Sequence, residues 1–198
     1  MTMRFVTRPL AAALVALALA GCATVTAAPA GLFQAGDRQE VTLGRMWSDI
    51  TPIMLNRGKK VRVLSIDGPL LNALYVGSGL VPGDNIVRSY VKERPTPLMR
   101  AGMSASERLE FVSDSVAAMG YQRVELVRPR AALLGGAPGA RFDLNASTSE
   151  GLEIKGTGIV AEVSGKLYLT VYLAPAEHYF QASLPEVESI LASARITG

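Results

Sequence analysis

LEIKGTGIVAEVSGKLYLTVYL, residues 152–173, decides the fold. Two runs rich in β-branched, aromatic and leucine residues flank Ser164-Gly165, a dipeptide suited to a two-residue hairpin turn. In a hairpin register about that turn, Val160, Leu167, Leu169 and Val171 share one face. Ile159, Ala161, Tyr168 and Tyr172 share the other. Side chains alternate across a strand, so a face open to water would read polar at every second position. Neither face does. Both must be covered, which places the hairpin at the centre of a layered α+β structure. Gly156 and Gly158 interrupt the first strand and predict a bulge or bend there.

Working toward the N-terminus, residues 140–147 form a strand with Phe142 and Leu144 on one face, and residues 123–127 form another around Val124 and Leu126. Between them LGGAPG (134–139) reads as a turn. Upstream, Ser104 and Glu107 make an S-x-x-E capping box, which satisfies two free amides at a helix start. A helix over 105–119 follows, with Leu109, Val112, Val116 and Met119 on one face and Gly120 placed to end it. Burying each such side chain contributes about 1.5–3 kcal/mol before entropy is counted. After the hairpin, Ser183 and Glu186 repeat the S-x-x-E pattern and Pro185 sits where a first turn would fall. A closing helix is expected from there, striped by Val187, Ile190, Leu191 and Ala194.

The N-terminal half is less regular. Residues 60–66 read as a strand and 41–43 as a short one. Residues 45–51 are ambiguous and suit one helical turn. Asp67-Gly68-Pro69 breaks the strand, and Pro69 suits the first turn of a short helix through Leu70, Leu71 and Leu74. Val81-Pro82-Gly83-Asp84 is a turn signal. Pro95 and Pro97 mark another break. Residues 23–36 (ATVTAAPAGLFQAG) are small, uncharged and punctuated by Pro and Gly, the composition of a flexible tether.

Residues 1–21 have the parts of a secretory signal: Arg4 and Arg8 with no acid nearby, an apolar core over 10–20, then small residues. An apolar run of about ten residues is too short to cross a hydrocarbon core, which needs about 20. The closing Leu19-Ala20-Gly21-Cys22 resembles the lipobox of bacterial lipoproteins. That resemblance implies cleavage after Gly21 and acylation of Cys22. It divides the chain into a signal (1–21), a tether (22–36) and a single α+β domain (37–198). Each buried methylene of an acyl chain contributes about 0.8 kcal/mol, so two or more chains give stable attachment to the membrane. Ala23 after the cysteine implies the outer membrane, on its periplasmic side.

The chain has 198 residues with 20 basic and 17 acidic side chains. Without Arg4 and Arg8 the balance is 18 to 17, so the basic character of the precursor is largely the signal's. Near neutrality gives no support to nucleic-acid binding, which needs a concentrated basic surface. Cys22 is the sole cysteine. Its acylation leaves no thiol for a disulfide, a thiolate metal site or a nucleophile.

His178 is the one histidine. A metal site or a catalytic triad needs partners for it, and no Gly-x-Ser-x-Gly elbow presents a serine. Gly77-Ser78-Gly79 does not match a dinucleotide fingerprint, and no Walker lysine follows any glycine cluster. No cofactor is expected. Asp67, before Gly-Pro, reads as a capping or turn residue. Asp67, Asp84 and Asp143 could also meet in space as a carboxylate cluster. Arg57, Lys59, Lys60 and Arg62 form the densest basic cluster, with a looser one at Arg88, Lys92, Arg94 and Arg100. The first reads foremost as a solvated strand edge kept from pairing by its lysines, and second as an interaction patch for anionic headgroups or an envelope protein partner.

The order helix, four antiparallel strands, helix over 104–196 resembles the PsbP-like fold. The resemblance rests on that order, on LYLTVYLAP and on SLPEVESILAS. It implies an antiparallel sheet sandwiched by helices, and a binding or assembly accessory more often than a catalyst. Ile66 to Asn72 (IDGPLLN) and the GGAPGARF of 135–142 also resemble segments of uncharacterised proteobacterial lipoproteins, which transfer no functional residues. The expectation is a non-catalytic envelope lipoprotein. Two other readings stay open: a carrier of a small apolar ligand, with a cavity lined by Tyr168 and Tyr172, and an envelope hydrolase using His178 or the carboxylates.

Overall fold

The computed structural model describes residues 25–36 and 38–197. In chain order the strands are β1 (Thr26–Ala28), β2 (Gly31–Gln34), β3 (Gln39–Leu43), β4 (Trp47–Asp49), β5 (Val61–Ser65) and β6 (Ala73–Leu80), followed by helix α1 (Ala105–Ala118). Then come β7 (Gln122–Leu134), β8 (Ala137–Ser147), β9 (Glu153–Val163) and β10 (Lys166–Pro175), helix α2 (Tyr179–Ser193) and β11 (Arg195–Ile196). Eight strands make one antiparallel sheet in the order β1-β4-β5-β6-β10-β9-β8-β7, and β11-β3-β2 make a second.

The β9–β10 hairpin sits inside the large sheet, as its two apolar faces require. Ser164 and Gly165 both adopt positive φ, at 51° and 73°, the conformation of a tight primed turn. The register pairs Val160 with Leu169 and Ala161 with Tyr168. Val160, Leu167, Leu169 and Val171 join one core with Phe111, Val112 and Val116 of α1. Ile159, Ala161, Tyr168 and Tyr172 join the other, with Val187, Ile190 and Leu191 of α2 and with Val41 and Leu43 of the small sheet. The large sheet therefore lies between α1 on one side and α2 with the small sheet on the other.

No bulge occurs at Gly156 or Gly158. β9 pairs without a register shift against both β8 and β10. These glycines serve close approach instead: a Cβ at Gly158 would lie 2.6 Å from Phe142 Cζ and 2.8 Å from the Thr170 carbonyl.

α1 begins at the expected capping box. Glu107 N donates to Ser104 Oγ at 3.2 Å, and Ser104 N donates to Glu107 Oε2 at 2.8 Å. Gly120 follows the helix at φ 97°. α2 differs from its sequence reading. It starts at Tyr179 with His178 as N-cap, so Pro185 lies within the helix and Ser183 caps nothing. Ser183 is buried. Glu186 accepts from Gly44 N at 2.7 Å and from Trp47 Nε1 at 3.3 Å, tying α2 to the β3–β4 connection.

The N-terminal half departs further. Of the expected tether, the described residues 25–36 hold two strands instead: β1 pairs with β4, and β2 pairs with β3. Pairing satisfies their backbone groups despite a composition that suggested looseness. Residues 45–51 contain strand β4 and enter a 3-10 turn at Thr51–Ile53. Leu74 is in β6 rather than in a helix, and it is fully buried. The cause is Asn72, whose side-chain oxygen accepts from Ser65 Oγ at 2.8 Å and Ile66 N at 2.9 Å, closing the loop before a helical turn can extend. Residues 1–24, with the signal and Cys22, lie outside the described residues.

Candidate basic cleft

A cavity lined by five cations opens where the β2–β3 turn overhangs one end of the large sheet. It encloses about 360 Å³, within the range of small-ligand sites. Arg38 comes from the turn, Lys59 and Lys60 from the approach to β5, Arg62 from β5 and Lys166 from the start of β10. Tyr168 completes the lining, its side chain buried against the second core.

The topology explains the convergence. Val61 is paired with Gly77, and Leu80 with Leu167, so the start of β5, the end of β6 and the start of β10 share one sheet end. Arg62 lies between Val61 and Val63, which face the first core, so its side chain leaves on the opposite face, beneath the small sheet. There its guanidinium lies 5.3 Å from the Phe33 ring centroid and pairs with Asp49. Burial alone would raise the Asp49 carboxyl. Hydrogen bonds from Thr51 and Arg62, with the Arg62 charge, outweigh that and hold it below its ordinary range. Arg62 Nε is buried without a hydrogen-bond partner among the described residues. Lys60 Nζ pairs with Asp84 at 2.9 Å and donates to the Gly79 carbonyl at 3.1 Å.

Five cations thus face two described acids, Asp49 and Asp84. Asp37, next to Arg38 in the sequence, lies outside the described residues. Counting it as a third acid still leaves cations in excess.

The structure divides the basic cluster read from the sequence. Lys59, Lys60 and Arg62 enter the cleft. Arg57 does not: its Nε donates to the Thr51 carbonyl at 2.9 Å and its Nη1 to the Gly58 carbonyl at 3.1 Å, which makes it a brace of the loop. Three of the looser cluster hold local structure, with Arg88 on the Leu55 carbonyl, Arg94 on the Ala117 carbonyl and Arg100 on Glu107. Arg38 and Lys166 were missed. The hairpin register could have brought Lys166 to this end, but nothing in the sequence says that the turn bearing Arg38 lies over it.

Tyr168 lines the cleft and Tyr172 does not. Tyr172 is packed between Trp47 and Phe180, with ring centroids at 6.4 and 6.0 Å, and its hydroxyl donates to the Tyr179 carbonyl at 3.3 Å. Burial raises the pKa of that hydroxyl. An apolar void beneath α1, lined by Tyr75, Val112 and Val171 among others, measures about 10 Å³. That is about the room of a single water.

His178 is exposed and stacks edge-on against Tyr179 at 5.1 Å. The three carboxylates have separate partners: Asp67 accepts from Asn72, Asp84 from Lys60 and Val81 N, and Asp143 from Arg128, Arg130 and Thr157. Among the described residues no three His, Cys, Asp or Glu side chains converge to hold a metal ion. No helix among them is long and apolar enough to cross a membrane.

The layered sheet, its order and its two covering helices define a PsbP-like fold. Cyanobacterial PsbP (CyanoP) from Synechocystis superposes with a TM-score of 0.54 at 16% identity, over 89% of this chain and 95% of that one. The yeast Ran-binding protein Mog1p superposes at 0.52 with 8% identity, over 88% and 96%. LpqN of Mycobacterium tuberculosis, involved in cell envelope biogenesis, gives 0.40 at 11% identity, over 88% and 92%. No family model matches the sequence, and no curated protein matches it. The resemblance inferred from the last half of the chain extends over most of its length.

Proposed function

We propose that this protein is a non-catalytic binding or assembly accessory of the cell envelope, held by acyl chains on Cys22 in the outer membrane and facing the periplasm. The observation that carries the binding reading is the cleft: five cations from three separate segments around one cavity, with fewer acids than cations. Cations gathered this way repel one another unless an anionic partner offsets them. The lipobox-like Leu19-Ala20-Gly21-Cys22 supports the anchor. Mog1p, of the same fold, is a Ran-binding protein, and use of this scaffold for binding there supports the same use here.

Crosslinking and mass spectrometry on the lipoprotein in its native envelope test the reading. A reproducible envelope neighbour, lost on charge reversal at Lys59 and Lys60, supports it. A neighbour unaffected by that reversal removes the cleft from the interaction. Cys22→Ser should release the protein from the membrane fraction in high-salt washes, and its retention there would sink the anchor.

A further inference from the structure

We propose that the cleft is a phosphate-group site turned toward the bilayer, and that it takes phosphomonoester headgroups of the membrane in which the protein is anchored. The inference rests on the Cys22 anchor of the preceding reading and assigns that reading a ligand.

The direction of β1 is the first argument. Thr26 pairs with Asp49, and Ala28 with Trp47. Asp49 in turn pairs with Leu64 and Ser48 with Ser65. Followed backward from Ala28 to Thr26, the chain therefore runs toward the sheet end that carries Lys59 and Lys60. β1 lies two strand spacings from β5, about 10 Å. The four residues from Cys22 to Thr26 can span at most about 14 Å. Thr26 is level with Leu64, four residues from Lys60 along β5, so an acyl group on Cys22 holds β1 and its neighbouring strands close to the lipid surface, with β1 directed backward toward the sheet end that bears the cleft.

The second argument is the chemistry of the lining. Arg62 is braced by Asp49 and Phe33, yet keeps a buried Nε without a described partner. Lys59, Lys166 and Arg38 form no ion pair with any described acid. Their side chains reach the cavity from three different segments. A phosphomonoester carries nearly two negative charges and three strong acceptor oxygens. That matches several converging donors better than a carboxylate or a phosphodiester does, each bearing one charge. Gly79 leaves Tyr168 open: a Cβ there would lie 3.5 Å from the phenol oxygen. That hydroxyl adds a neutral donor at the cleft.

The groove at the other end of the second face makes a contrast. It is larger, about 760 Å³, and also holds Arg128, Arg130 and Lys155. Its arginines each have a carboxylate: Arg128 and Arg130 share Asp143 at 2.9 and 3.5 Å, and the adjoining Arg141 pairs with Glu188 at 2.6 Å, although its Nη1, like Arg62 Nε, is buried without a partner among the described residues. Lys155 alone among these cations has no ion pair with a described acid, against Arg38, Lys59 and Lys166 in the cleft.

The test uses the mature lipidated chain in vesicles and follows lysine acylation by mass spectrometry, with Lys155 as an internal control. On vesicles containing phosphatidic acid, acylation of Lys59 and Lys166 should slow several-fold relative to pure phosphatidylcholine, and Lys155 should not change. Arg38→Glu, an exposed substitution, should abolish the protection of Lys166. Equal protection by phosphatidylglycerol overturns the phosphomonoester assignment in favour of general surface charge. Equal protection by millimolar inorganic phosphate on phosphatidylcholine vesicles overturns the headgroup assignment in favour of a soluble ligand. No protection under any condition overturns the site. Flotation with phosphatidylcholine vesicles reports the anchor separately, so its failure cannot be confused with failure of the cleft.

Discussion

The Arg62 guanidinium lies 5.3 Å from the ring centroid of Phe33, so a cation of the cleft also holds the small sheet onto the large one. The same guanidinium pairs with Asp49, whose side chain is only 5% exposed. Arg62→Ala removes both contacts and leaves a buried carboxylate with only its Thr51 partners. Because Arg62 is itself 38% exposed, the cost should be about 1–2 kcal/mol, below that of breaking a fully buried pair. Urea denaturation should show a lower midpoint with an unchanged slope.

Asp49 also gives the fold a pH dependence of known sign. Its folded carboxyl titrates below the ordinary value of 3.8. Its contribution is therefore complete above that value and is lost as pH falls through the lower folded one. Acid titration of unfolding should show stability declining below about pH 4, and Asp49→Asn should be less stable at neutrality but flatter across that range. An unchanged acid slope in the variant would remove Asp49 as a source of the dependence.

The two S-x-x-E patterns should separate cleanly. Ser104→Ala removes an observed cap and should cost about 1 kcal/mol. Glu186→Ala removes no cap. It should instead free Gly44 N and Trp47 Nε1 and shift the emission of Trp47, the sole tryptophan. Were α2 to start at Ser183 after all, Ser183→Ala would mimic Ser104→Ala. The α2 start observed at Tyr179 predicts that it acts only through local packing.

These two helices show how much the sequence could say. Periodicity identified both apolar stripes, because burial acts on side-chain spacing and leaves a record there. The S-x-x-E motif is local, and a serine followed by a glutamate three positions on can serve a tertiary contact just as well. The same limit explains β1 and β2. Residues 26–28 and 31–34 carry little hydrophobic signal, and their strands exist because distant segments, 47–49 and 40–43, supply partners. The cleft was half legible. Lys59, Lys60 and Arg62 are close in sequence, whereas Lys166 and Arg38 arrive through sheet register and through the stacking of a second sheet, which no local pattern encodes.

Gly158→Ala tests the close approach of β8 and β9. The added methyl would meet Phe142 Cζ at 2.6 Å and the Thr170 carbonyl at 2.8 Å. Overpacking of this kind costs about 1–3 kcal/mol. Combining it with Phe142→Leu should recover only part of the loss, since the carbonyl is backbone of β10 and cannot rotate away. Thermal unfolding of the single and double variants checks this, and full recovery would mean that the ring alone sets the constraint.

Tyr168 and Tyr172 lie four residues apart on the same strand face, yet their substitutions should behave differently. Tyr172 packs between Trp47 and Phe180. Tyr172→Ala should cost about 3–5 kcal/mol, as for other large aromatic truncations. Tyr172→Phe removes only a hydroxyl donating at 3.3 Å and should cost about 0.5–1.5 kcal/mol. Neither should alter acylation of Lys59 or Lys166 so long as the protein is folded. Tyr168→Phe keeps the buried ring and takes the hydroxyl from the cleft, so it should leave stability nearly unchanged and weaken the protection of Lys166 by phosphatidic acid. The reverse pattern, with Tyr172→Phe changing lysine protection at constant stability, would return Tyr172 to a ligand-lining role and reopen the carrier reading.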